Sequence, residues 1–156
     1  MKKKILLFAS ILTLVSCGPT PAEFDNALKA GIANAEKLVN SYDRKVLDAL
    51  ALNRPDTITP MTEAALSGLV KEQKRISDLS VPSDGEHLKK AAEDYIEALI
   101  NFVKAQNLYA GYSDALPDNE VQTIDKTCQD ALATVKLLHS KLIDYQKAFA
   151  KDKGVL

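Results

Sequence analysis

The chain reads as an all-α domain, an up-down-up-down antiparallel four-helix bundle. Three observations predict it. Apolar residues recur at alternating spacings of three and four along most of the sequence. Proline and capping residues break that pattern at regular points. No run alternates convincingly with period two, so no sheet is expected.

The first helix is expected over about 21–53. Thr20-Pro21-Ala22-Glu23 places Thr at the cap, Pro at the first helical position and Glu three residues after the cap, which is a capping box. Its apolar stripe runs through Phe24, Leu28, Ile32, Ala35, Leu38, Val39, Tyr42, Val46 and Leu50. The second helix, about 60–79, starts from Thr59-Pro60 by the same cap-then-Pro logic and carries Leu66, Leu69, Gln73 and Ile76. The third, about 84–111, follows Pro82 and a second capping box at Ser83-Asp84-Gly85-Glu86. Leu88, Ala92, Tyr95, Leu99, Phe102, Gln106 and Tyr109 form its seam. The fourth, about 117–151, opens Pro117-Asp118-Asn119-Glu120, with acids at the positive end of the helix dipole. Its seam runs from Val121 and Ile124 through Cys128, Val135 and Leu142 to Phe149. Short connections make neighbouring helices antiparallel. Gly31 and Gly68 lie inside helices, where each costs up to about 1 kcal/mol against Ala, so close backbone packing is expected there.

The first 16 residues are a different kind of segment. Met1-Lys2-Lys3-Lys4 is a positive cluster, and the apolar run Ile5–Val15 is interrupted only by Ser10 and Thr13. That run is too short for a bilayer span of roughly 20 residues. A charged start, a short apolar stretch and a small residue before the cut make a secretory signal. Leu14-Val15-Ser16-Cys17 resembles the lipobox of bacterial lipoproteins at all four positions. The resemblance implies cleavage between Ser16 and Cys17 and a lipid, including palmitate-type acyl chains, on Cys17. It also implies an exported protein anchored to the cell envelope. Gly18, rather than Asp, after the modified Cys favours the outer membrane. The domain order expected is therefore signal 1–16, lipidated Cys and tether 17–20, bundle 21–151 and tail 152–156. In architecture the whole resembles the small helical envelope lipoproteins of diderm bacteria.

Composition bounds the function. Three of the 20 basic residues and none of the 21 acidic ones fall in the signal, leaving about 140 residues with a formal charge of about −4. A mildly acidic body with no basic stripe argues against nucleic acid as a partner. With Cys17 lipidated, Cys128 has no disulfide partner. No Cys-x-x-Cys-His haem motif is present. The di-iron bundle needs Glu-x-x-His, but Asp84 precedes His87 and Lys136 precedes His139. Non-covalent haem would need Met61 and His139 to face each other. No phosphate loop, nucleophile elbow or paired-carboxylate motif occurs. The expectation is a non-enzyme without metal or cofactor: a membrane-anchored binding or structural module with a protein or envelope partner. The alternative is a carrier of a small ligand, haem or metal between the helices.

Two patches stand out as candidate sites. The second helix is shorter than the first, so an overhang is expected near the membrane, where Phe24, Leu28, Tyr145 and Phe149 would line an apolar groove. At the far end Tyr109, Tyr112, Asp114 and Asp118 would form an aromatic-acidic binding tip.

Overall fold

The computed structural model describes residues 18–155. The signal segment and Cys17 lie outside the described residues. Four helices fill most of the remainder: α1 (Pro21–Ala51), α2 (Ile58–Ser77), α3 (Glu86–Gln106) and α4 (Asp118–Lys153). They pack as a helical bundle, and no strand occurs among the described residues.

Local chemistry sets most of the boundaries. The Glu23 backbone N–H donates to Thr20 Oγ1 at 3.2 Å, and the Thr20 backbone N–H donates to Glu23 Oε2 at 2.8 Å, closing the capping box. Helix α2 begins two residues before the expected Pro60, because a 3-10 turn over Pro55–Thr57 runs directly into it. The second capping box does not form. Gly85 is the cap of α3 with no side-chain hydrogen bond, and Asp84 is turned to φ 67°, so its backbone leaves the helical path. After Gln106 the third helix tightens into a 3-10 turn over Asn107–Gly111. Helix α4 extends past residue 151 to Lys153 and stops at Gly154, whose φ of 64° suits glycine.

The core is asymmetric. Eleven of the 21 residues of α3 are buried, against five of the 36 in α4, so α3 is the central rod and α4 lies on its outside. Residue pairs record how the helices meet. Between α1 and α2, Tyr42 reaches Thr62, Leu38 lies over Gly68, Asn34 reaches Glu72, and Gly31 lies under Ile76. A Cβ on Gly68 would sit 2.9 Å from Leu38, and one on Gly31 would sit 3.0 Å from Ile76, so both glycines let α1 and α2 approach closely. Thr62 Oγ1 also lies 3.0 Å from the Ile58 carbonyl and 2.9 Å from Asn107 Oδ1, which ties α1, α2 and the turn after α3 into one buried polar knot.

The segment joining α2 to α3 is more than a turn. Lys89 Nζ donates to the carbonyls of Ser77 and Leu79, placing a cation at the negative end of α2. Leu79 and Val81 pack against the core, and Lys153 pairs with Asp84 at 3.0 Å. This arrangement corrects the expected overhang. Phe24, Leu28 and Phe149 are buried, with Leu79, Val81 and Val155 packed on the same core. Phe24, Leu28 and Phe149 are therefore core residues rather than the lining of an open groove, and Tyr145 points instead to solvent at 46% exposure.

Candidate functional site

Helix α1 has two working faces. One is sealed against α2. The other, carrying Glu36, Val39, Asp43, Val46 and Leu50, looks toward α4. The two helices meet at one end, where the Phe24 and Phe149 rings stack edge to face at 5.7 Å. They touch again where His139 Nε2 comes within 3.6 Å of Glu36 Oε1. Beyond Glu36 a groove separates them, floored by α3. It consists of a cavity of about 310 Å³ beside Glu36, Val39 and Tyr95, and one of about 510 Å³ beside Val46, Leu50 and Asp125. Both are lined by Asp43, Phe102 and Leu132, so the two adjoin along one groove, called the channel below. From Glu36 to Leu50 it runs about 20 Å at the rise of an α-helix.

The floor is apolar and the walls are acidic. Leu99 and Phe102 of α3 supply the floor, flanked by Val39 of α1 and by Leu132 and Val135 of α4. Glu36, Asp43 and Asp125 are the charged residues lining the two cavities. Each is held by an uncharged donor. The Tyr95 hydroxyl donates to Glu36 Oε1 at 2.9 Å, the Gln106 amide to Asp43 Oδ1 at 2.5 Å, and the Tyr109 hydroxyl to Asp125 Oδ1 at 2.7 Å. Among the described residues no lysine or arginine pairs with any of the three. Burial, followed by the hydrogen bond to its carboxylate, pushes each of Tyr95 and Tyr109 well above the usual phenol range, so both stay protonated donors. Gln106 is only 6% exposed, and its Oε1 has no hydrogen-bond partner among the described residues. A buried acceptor left unpaired costs about 1–3 kcal/mol.

Other residues fall outside this channel or serve only its wall. Cys128 borders the wider cavity at 8% exposure, and burial pushes its thiol up, against the opposing pull of the Tyr109 hydrogen bond. A protonated, buried thiol is a poor nucleophile. His139 lies against the Tyr95 ring at 5.2 Å, while Met61 sits on the α1–α2 side with Leu38, so the two do not face each other. No group of three or more His, Cys, Asp or Glu could hold a metal ion among the described residues. No helix among them is long and apolar enough to cross a membrane.

Of the expected aromatic-acidic tip, one member belongs elsewhere. Tyr109 turns inward to Asp125 and becomes part of the groove wall. Tyr112 is partly buried, and Asp114 and Asp118 are exposed; none of these three lines the channel. The residues that do form the channel, Glu36, Asp43, Tyr95, Gln106 and Asp125, were not singled out from the sequence. One signal was readable: Gln106 occupies a seam position of α3 where an apolar residue belongs. Comparison with known protein families, curated proteins and solved structures finds no match.

Proposed function

We propose that this chain is a non-enzymatic, lipid-anchored lipoprotein of the bacterial cell envelope, and that its helical bundle serves as a binding module with the α1–α4 groove as its site. The observation that carries the binding role is the groove itself. It combines an apolar floor with three carboxylates that no lysine or arginine neutralises among the described residues. The anchor rests on Leu14-Val15-Ser16-Cys17 at the end of a signal-like segment. Gly18 after the Cys favours the outer membrane. An up-down-up-down course of the helices is supported by the α1–α2 pairs, which run Tyr42–Thr62 through Gly31–Ile76, and by the Phe24–Phe149 contact. With only Gly18 and Pro19 between Cys17 and the cap at Thr20, the tether would reach about 10 Å, holding the Phe24 end of the bundle at the membrane.

Both parts are testable. Metabolic labelling with a palmitate analogue should mark the wild type and not Cys17→Ser, which should also leave the membrane fraction. Label on the variant would refute the anchor. Native mass spectrometry of the protein extracted from its own envelope should reveal a small-molecule adduct. That adduct should disappear from Asn40→Trp, an exposed groove-wall position where a large ring would fill the channel without touching the core. An adduct of equal abundance in both proteins would place the binding elsewhere.

A further inference from the structure

The channel's chemistry narrows what it can hold. An anion would meet three carboxylates. A purely apolar molecule would strip water from those carboxylates without replacing it, which is costly for any buried charge. A bare metal ion lacks a cluster of ligands among the described residues. We propose that the groove binds a linear aliphatic diammonium ion, its methylene chain against Phe102 and Leu132 and its two ammonium groups at Glu36 and Asp43. This rests on the groove being the binding site; it does not depend on the lipid anchor.

The geometry supports each part of that ligand. Glu36 and Asp43 stand seven residues apart on one helix, so their Cα atoms are about 10 Å apart along its axis. Between them the channel offers Val39, Leu99 and Phe102, which suit methylene groups. An ammonium carries three donors and no acceptor, matching a wall that offers carboxylate oxygens. Gln106, which lines the same cavity from α3, bonds Asp43 through its amide nitrogen and leaves its buried Oε1 without a partner among the described residues. The Tyr95 and Phe102 rings add aromatic faces that attract cations. Lys37, Arg44 and Lys45 line the neighbouring face of α1, which shares Glu36 and Asn40 with the channel, but none of them pairs with Glu36 or Asp43 among the described residues.

The test is calorimetric titration of the mature lipoprotein in neutral detergent with 1,8-diaminooctane. 1,8-Octanediol and magnesium serve as controls. Saturable one-to-one binding of the diamine is expected, at least tenfold weaker in Asp43→Asn and in Glu36→Gln, and unchanged in Glu63→Gln on the outer face of α2. Binding should weaken as salt rises. Equal affinity in wild type and both groove variants would overturn the proposal, as would binding of a basic amphipathic peptide with none of the diamine. If the diol binds as well as the diamine and Asn40→Trp abolishes it, the groove stands and its preference for cations is wrong. If neither the diamine nor the diol binds the wild type, the proposal fails, and a wild-type adduct in the mass spectrum would show whether the groove is still a site.

Discussion

Helix α1 is packed in two opposite ways. Against α2 it is closed by subtraction: Gly31 and Gly68 remove side chains so that Ile76 and Leu38 can fill the gap, and Thr62 gathers the polar atoms into a buried knot. Against α4 it is held apart beyond Glu36, with carboxylates in the gap and tyrosines steadying them. One helix thus carries a face that maximises burial and a face that forgoes it. The first holds the bundle together. The second leaves negative charge and apolar surface next to each other, the combination on which the proposed binding role rests.

That contrast predicts unequal responses to mutation. Leu69, fully buried on α2, should be the costliest of the sites considered: Leu69→Ala is expected to lose about 2–5 kcal/mol in urea unfolding. Gly31→Val should lose about 1–3 kcal/mol, because the added carbons crowd Ile76, which is fully buried. A stable Gly31→Val protein would mean the α1–α2 seam is looser than its contacts suggest. On the groove side, alkali is the sharper probe. The raised pKa values of Tyr95 and Tyr109 mean their contribution to stability is fully present below the unfolded phenol value of about 10 and is lost as pH climbs above it toward the shifted values. Replacing both with Phe should flatten the alkaline limb of a stability profile, and an unchanged limb would show that these hydroxyls are not confined as described. The smallest effect belongs to Asp43→Asn, within about 0.5 kcal/mol of wild type. A large loss there would mean the groove wall is structural after all.

The elements readable from the sequence were those built by near neighbours. The Thr20–Glu23 box spans one turn, and the three-four apolar spacing of α3 and α4 is repeated often enough to survive any local exception. The Ser83–Glu86 box failed because the joining segment answers to distant partners: Lys89 holds it to the end of α2, and Lys153 draws Asp84 outward. Phe24 and Phe149 are themselves buried, so a patch that looked open on helix length alone is closed. The channel was hidden for a related reason. Glu36, Asp43 and Asp125 look like ordinary solvent-facing acids until the separation of α1 from α4 is known, and that separation depends on the volume of every side chain on α3. Only Gln106 betrayed it, as a polar residue where the seam called for an apolar one.

The edge-to-face contact of Phe24 with Phe149 also orders events in time. It joins the first turn of α1 to nearly the last turn of α4, and these rings close over each other only once both exist. A ribosome makes the chain from the amino end, so Phe24 lacks its aromatic partner until synthesis has almost finished. Premature termination near residue 145 should therefore yield a product that aggregates or is degraded, even though every helix but the last would be complete.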